Sequence, residues 1–376
     1  MRVKVANRVI DKWLDINVSL RFDAVASPFS VSFYFNPASP SDRELFVPGA
    51  YNKVVIEHNG ETLITGTTIG QTMRSAPTAQ AISISGYTRS GVLEDCQVEV
   101  GYSKQFQGMN LRQIIEQLLK PYSLNLVVDD FVTEADTVYP NAPIIEPDQT
   151  IREFISVLCK GRNIVFTHTP DGDLLLTRAQ VNQEPMYNFN GSIPVTGMEL
   201  SFDGQKMHHK LYSVGQANLN TNNASQNEVF NPYVLPKGYY VKTYPFDTGY
   251  RPAVYVQKTG DDNTTPLTAR QYLSQELKNV RLKIDIEGWE LNGELVKPNR
   301  IVTVQNPDIF LYQRSRWFVE QVDLKGDNVR ETATLYCVLP ECYTQGDVKN
   351  VFTGTNLTVP YSESGAHAVI TPFDQP

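Results

Sequence analysis

From Val280 to Glu287 the chain alternates without a slip, with Val280, Leu282, Ile284 and Ile286 on one parity and Arg281, Lys283, Asp285 and Glu287 on the other. A side-chain period of two belongs to the β-strand, so this stretch is a strand with one dry and one wet face. Upstream, the capping Thr268, Leu273 and Leu277 four apart, and Glu276 one turn before Val280 predict a short amphipathic helix over Thr268 to Val280. Downstream, Gly288, Asn292-Gly293 and Pro298-Asn299 supply turns before Ile301, Val302 and Val304. A strand follows over Trp317 to Val322, and Gly326-Asp327-Asn328 turns into the last one, where Thr332, Thr334, Tyr336 and Val338 alternate with Ala333, Leu335 and Cys337. These strands predict a compact antiparallel barrel, and none of them reads as an active site.

The first 95 residues are strand-like too. Leu14, Ile16, Val18 and Leu20 alternate with Asp15, Asn17 and Ser19, and Phe29, Val31, Phe33 and Phe35 repeat the pattern after an Ala-Ser-Pro turn. Pro48-Gly49 introduces Lys53 to Glu57, His58-Asn59-Gly60 turns the chain, Leu63 to Thr67 returns, and Ala81 to Ser85 completes the set before Gly86. Between Asn110 and Ala179 the period changes. Leu111, Ile114, Ile115, Leu118 and Leu119 form a helical stripe stopped by Pro121, and Leu124 to Val128 reads as strand. Thr150 caps a second helix bearing Ile151, Phe154, Ile155 and Leu158, with Gly161 as its stop. Asn163 to Thr167 and Asp173 to Thr177 make a hairpin across Pro170-Asp171-Gly172. Strand character returns over Pro194 to Gln216, and Asn218 to Asn231 is an Asn-, Ser- and Gln-rich stretch expected to be a mobile loop. There is no tandem sequence repeat of roughly 20 to 50 residues.

The expected fold is therefore mainly β with an α/β insert (α+β). A first β-barrel covers 1–95, with 194–217 as the candidate to complete it, and an α/β module covers 96–185. A second β-barrel covers 186–345 with a loop and helix insert over 218–280, and an extended tail covers 346–376. The tail's apolar residues, such as Phe352, Val359 and Ile370, are spaced by Gly, Ser, Thr and Pro, which predicts a segment ordered by a partner.

Composition closes off several function classes. A net charge of −8, and no clustered Lys or Arg, excludes a surface built to grip nucleic-acid phosphates. Four scattered cysteines, Cys96, Cys159, Cys337 and Cys342, make neither a disulfide framework nor a zinc set, so folding in a reducing compartment is expected. The opening Met1-Arg2-Val3-Lys4-Val5 lacks the apolar run of a cleaved signal, and no stretch approaches the ~20 apolar residues of a membrane span. His208-His209 cannot readily share one metal, because neighbours on a strand point to opposite faces. Asp129-Asp130 follows a strand and Asp261-Asp262 sits in a Gly-Asp-Asp-Asn turn, and neither has the spacing of a calcium loop. Cys337 and Cys342 flank a Pro-Glu turn and could pair across it, although a strand cysteine is more often a small core residue. Phosphate loops, nucleophile elbows and zinc-protease or deaminase signatures are absent from the sequence. No catalytic, cofactor-binding, metal or subunit-interface residue is assigned, and no cofactor is called for. An enzyme would have to rest on carboxylates alone.

The order of these pieces resembles the baseplate hub proteins of contractile-tailed bacteriophages, Mu-like prophage tail proteins above all, and the hub part of type VI secretion spike proteins. Trp13-Leu-Asp-Ile through Phe29-Ser-Val, Pro48-Gly49 with Asn59-Gly60 and Thr65-Gly66, and Ser85-Gly86 through Cys96 carry it. So do Leu111 to Ile115, Glu146 to Thr150, Gly172 to Thr177, Glu287-Gly288-Trp289, Gly293, Lys297-Pro298-Asn299 and Trp317 to Val322. Asn299 stands where such hubs usually have Gly, a change a left-handed backbone tolerates. The resemblance implies a non-enzymatic structural protein of the virion baseplate, assembled in the host cytoplasm. It further implies a homotrimeric ring of paired barrels between the tail tube and a separate central spike, passing DNA without stably binding it. A cell-wall or carbohydrate-processing enzyme, to which 19 tyrosines could give sugar-stacking surfaces, and a receptor-binding tail protein are the competing classes.

Overall fold

The computed structural model describes residues 1–10, 12–75, 80–99, 106–139, 142–146, 148–160, 162–214, 240–243, 249–256, 265–344 and 350–352. The whole Asn-rich stretch 218–231, Asp261-Asp262 and the tail beyond Phe352 lie outside these residues. The chain opens with strands β1 (Arg2–Val5), β2 (Arg8–Ile10), β3 (Trp13–Arg21) and β4 (Pro28–Tyr34), a short helix α1 (Pro40–Leu45), then β5 (Lys53–His58), β6 (Glu61–Ser75) and β7 (Gln80–Thr88). Next come α2 (Val92–Asp95), α3 (Leu111–Leu119), β8 (Leu126–Val128), α4 (Ile151–Lys160), β9 (Val165–His168) and β10 (Leu174–Thr177). β11 (Tyr187–Phe189), β12 (Val195–Phe202), β13 (Lys210–Val214), β14 (Tyr240–Thr243) and β15 (Pro252–Val256) lead to helix α5 (Thr265–Leu277). The remainder is β16 (Val280–Glu287), β17 (Glu290–Leu291), β18 (Glu294–Leu295), β19 (Arg300–Asn306), β20 (Leu311–Asp327), β21 (Glu331–Val338) and helix α6 (Glu341–Thr344).

The alternating stretch is β16, and its four apolar side chains are fully buried. Helix α5 begins three residues before the expected capping threonine. Both Asn-Gly pairs turn hairpins with positive φ at each residue, Asn59 49° and Gly60 85°, Asn292 54° and Gly293 80°. Asn299 is left-handed at φ 62°, the conformation for which Asn substitutes for Gly.

Thirteen strands join in one sheet whose main path runs β12-β16-β21-β20-β3-β4-β7-β6-β5-β1-β2, with β19 and β11 branching from β20. That path does not return on itself, so no closed barrel is found among the described residues. The expected halves are fused where Gln321–Asp327 of β20 pairs antiparallel with Asp15–Arg21 of β3. Periodicity shows that a strand exists and which face is dry; it does not name the neighbour, and here the neighbour lies some 300 residues away in sequence.

Two four-strand units of the same plan make up the first eight strands of this path. In one, β3-β4-β7-β6, the long strand precedes the third in sequence; in the other, β12-β16-β21-β20, it does so again. Each long strand has a register break, at Thr68/Gly70 in β6 and at Val319/Gln321 in β20. Below its break each also pairs with the preceding strand, β6 with β5 and β20 with β19. The repeat is one of topology, which explains why the sequence shows none. Strand β12 pairs with β16, while β13 lies between β14 and β15 in a separate three-stranded sheet. Neither pairs with a strand of the first 95 residues, where 194–217 was a candidate to complete a barrel.

A second apolar core lies between α3, α4 and the small sheet β8-β10-β9. Leu111, Ile114, Ile115, Leu118 and Leu119 are all buried in it. Both helices open with reciprocal caps. Asn110 and Gln113 bond each other's backbone N–H, as do Thr150 and Glu153.

Candidate functional site

The densest charge cluster among the described residues sits where the large sheet, α5 and α6 meet. Lys278, one residue beyond α5, donates from Nζ to Asp23 Oδ2 at 2.5 Å, Glu320 Oε1 at 2.6 Å and Tyr343 OH at 3.0 Å. Tyr343 in turn donates to Glu320 Oε1 at 2.5 Å, and the ammonium lies 4.7 Å from the Tyr343 ring centroid. The register break in β20 turns Glu320 toward the lysine. Burial alone would favour a neutral amine, but Asp23 and Glu320 outweigh it and hold Lys278 above the ordinary lysine value. Burial likewise pushes Glu320 up, yet the lysine charge and the hydrogen bonds pull it below the ordinary carboxylate value. Burial and the two carboxylates push the Tyr343 phenol well up. None of the three is poised to exchange a proton near neutrality, so the cluster fastens elements together. Beside it a cleft of about 550 Å³ is lined by Arg21, Arg152 and Arg281 but also by Glu94 and Glu153, which leaves it without one dominant sign.

A serine–histidine contact, which no spacing in the sequence announced, joins the sheet to the α/β unit. Ser27 Oγ lies 2.6 Å from His168 Nε2, and His168 Nδ1 lies 3.1 Å from the Thr169 carbonyl. A hydrolase would need the hydroxyl open to substrate and the far ring nitrogen on an orienting acid. Here Ser27 is completely buried, and a backbone carbonyl takes the place of the acid. The surrounding bonds are those of a joint. Thr167 Oγ1 reaches the Arg21 and Ala24 carbonyls, Ser90 Oγ donates to the Val25 carbonyl at 2.6 Å, and the Ser27 N–H donates to Thr88 Oγ1. The turn between β3 and β4 is thereby bolted to β9 and to the segment after β7.

The residues weighed from sequence are scattered. His208 lies 2.8 Å from Glu276 Oε1, a buried carboxylate that also accepts from Tyr255 OH at 2.7 Å. The His209 ring accepts the Arg251 N–H at 2.7 Å, so the two imidazoles serve different partners. Asp129 takes the Thr177 hydroxyl at 2.5 Å. Cys337 and Cys342 are both buried and free, and burial pushes both thiols up. Among the described residues no group of three His, Cys, Asp or Glu could hold a metal ion, and no helix is long and apolar enough to cross a membrane.

Fold and joints together define a mainly β protein built around one long open sheet, with an α/β unit fastened to the ends of its central strands by polar bonds. Residues 90–178 match the family model described as baseplate hub protein gp44-like, second domain. The fold is that of the 43 kDa tail protein of prophage MuSo2 from Shewanella oneidensis, with a TM-score of 0.75 at 18% identity over 91% of this chain and 99% of that one. A tail protein from Neisseria meningitidis gives 0.71 at 16% identity, covering 92% and 97%. An E. coli type VI secretion component, described as structurally similar to T4 phage tail proteins, gives 0.54 at 10% identity, covering 94% and 80%. No curated protein matches the sequence. The chain thus resembles phage baseplate hub and Mu-like prophage tail proteins, as its motif order implied.

Proposed function

We propose that this protein is a structural hub of a contractile phage tail. Three copies form a ring in the virion baseplate, joining the tail tube to a central spike and leaving a passage for DNA. The gp44-like second domain and the likeness to prophage tail proteins support a tail component. The observation that carries the ring is the doubled plan of the ladder: each chain presents two equivalent four-strand units, so three chains present six and match a sixfold tube to a threefold spike. Under this reading 1–95 and 186–345 are the two tube-forming units, 96–185 is an outer module, and 346–376 reaches a neighbour.

The wet face of the ladder then lines the passage. Strand register puts Asp15, Glu199, Asp285, Glu287, Asp323 and Asp327 on that face. It puts Arg21, Arg74, Arg281, Lys283 and Lys325 there as well. Beyond the register breaks of the two four-strand units, these six acids against five bases leave −1 per chain, a surface that passes a polyanion without holding it. Light scattering of the purified protein at micromolar concentration tests the assembly: three chains per particle are expected, and a persistent monomer rejects the ring. Salt-sensitive, sub-micromolar binding of duplex DNA in a gel shift would reject the neutral passage. Clearing of peptidoglycan in a zymogram, abolished by removing a carboxylate pair, would favour the enzyme reading instead.

A further inference from the structure

An asparagine followed by glycine can modify itself, because glycine has no side chain to obstruct its own backbone nitrogen when that nitrogen attacks the preceding side-chain amide. The chain carries three such pairs at exposed turns, Asn59-Gly60, Asn190-Gly191 and Asn292-Gly293. Their amides are held differently. Asn59 donates from Nδ2 to Glu290 Oε1 at 3.0 Å, an oxygen that also lies 2.8 Å from His58 Nε2. Asn190 accepts at Oδ1 from the Ser192 N–H at 3.2 Å and from the Ser192 hydroxyl at 2.6 Å. The Asn292 side chain makes no hydrogen bond among the described residues.

The turns differ as well. Ring closure needs the asparagine Cβ and the next nitrogen on the same side of the Cα–C bond, whereas the left-handed backbone of Asn59 and Asn292 sets them nearly opposite. Either turn must therefore open before it can react. The β17–β18 turn is closed by two residue pairs, Glu290 with Leu295 and Leu291 with Glu294, and by the bond from the Val296 N–H to the Trp289 carbonyl. The β5–β6 turn closes a ladder that runs from His58 and Glu61 back to Lys53 and Thr67. A short ladder opens more often than a long one.

We propose that Asn292 is the self-modifying site among the three, converting by backbone attack while Asn59 and Asn190 stay intact. The Gly293 nitrogen bonds to Asn292 Cγ and gives up its proton, the Cγ–Nδ2 bond breaks, and the amide nitrogen leaves with that proton as ammonia. Water then opens the cyclic imide at either carbonyl, leaving aspartate or isoaspartate at position 292. One water is consumed, one ammonia is released, and the chain gains one negative charge. The converted fraction thus records the age of the protein. Its placement fits the protection: at position 59 the same change would set a carboxylate where an amide now donates to Glu290, while at position 292 it falls on an exposed tip.

Full-length protein held in mildly alkaline buffer and sampled over days for peptide mapping by mass spectrometry tests the assignment. Conversion at 292 should outrun that at 59 by about tenfold or more, the factor for releasing one amide bond to a charged carboxylate, and should also outrun 190. In urea, where the turns are lost, the three sites should convert at comparable rates. Glu290→Ala should raise conversion at 59 severalfold and leave 292 unchanged. Equal rates at 59 and 292 in the folded protein, or a lead by 190, overturn the proposal. A lead of 292 that persists in urea overturns it too, because its cause would then be the flanking sequence. No gain at 59 in Glu290→Ala overturns the protection assigned to Glu290.

Discussion

The indole of Trp289 fills the space that a side chain on Gly326 would need: a Cβ at Gly326 would fall 2.5 Å from Cζ2 and 3.1 Å from Cη2. The same ring donates from Nε1 to the Lys325 carbonyl at 2.8 Å and meets the His58 ring edge-on, with centroids 5.7 Å apart. Gly326 itself pairs with Ile16 across the β20–β3 junction. Trp289 thus buttresses the strand pair that fuses the two halves.

Gly326→Ala should therefore cost about 1–3 kcal/mol, because the tryptophan is fully packed and has no free direction to move. Trp289→Phe removes the two atoms in conflict. In that background Gly326→Ala should cost at least ~1 kcal/mol less, a coupling that urea unfolding of the four proteins in a double-mutant cycle measures. Equal costs in both backgrounds would show that the glycine is needed for another reason.

Lys278 supports a second expectation. Lys278→Met leaves Asp23 and Glu320 facing each other without their cation and should destabilise the fold by about 3 kcal/mol. Adding Glu320→Gln removes one of the stranded charges and should recover part of that loss. Denaturant midpoints of the single and double variants decide it; a double variant less stable than the single one contradicts the charge argument.

How much of this was legible in the sequence follows from the range of each signal. The strand β16 could be read because one wet face imposes a strict period, and α3 and α4 because their apolar stripes and caps are local. The long strands could not. The register breaks at Thr68/Gly70 and Val319/Gln321 shift the pairing mid-strand, so β20 reads as Trp317 to Val322 although it runs from Leu311 to Asp327. Nor could the joints be read. Lys278 is 255 residues from Asp23, and Ser27 is 141 from His168, with nothing near either pair in sequence to announce the other.

The C-terminal contact separates two truncations. Phe352 meets Phe202 of β12 edge-on, with centroids 6.4 Å apart, and Val351 and Phe352 pack on the main core. A chain ending after Phe352 should keep the wild-type melting temperature. One ending after Lys349 should lose about 1 kcal/mol, a few degrees for a chain this size. If the shorter chain unfolds outright, the segment belongs to the core more deeply than two side chains imply. If the tail reaches a neighbour, sedimentation of the chain ending after Phe352 should show weaker assembly without loss of fold.

The last expectation concerns pH and follows from the burial of His168. Burial drives its pKa below the ordinary 6.5, opposed only partly by the Thr169 carbonyl facing Nδ1, so the folded protein holds this imidazole neutral. The unfolded chain protonates first as pH falls through about 6.5, and a proton bound there favours unfolding. The stability His168 contributes is therefore fully present above that pH and declines as pH falls toward the lower folded value, with a limiting slope of about 1.4 kcal/mol per pH unit. His168→Gln keeps a polar partner for Ser27 but cannot take up the proton. Its unfolding free energy should be lower than wild type near pH 8, and the gap should narrow from about pH 6.5 downward. Urea titrations of both proteins at half-unit steps between about pH 5.5 and 8 measure that gap. A gap constant across the range would mean that folding leaves the proton affinity of His168 unchanged, and a gap that widens as pH falls would mean that the fold holds it protonated; either result overturns the neutral joint between the sheet and the α/β unit.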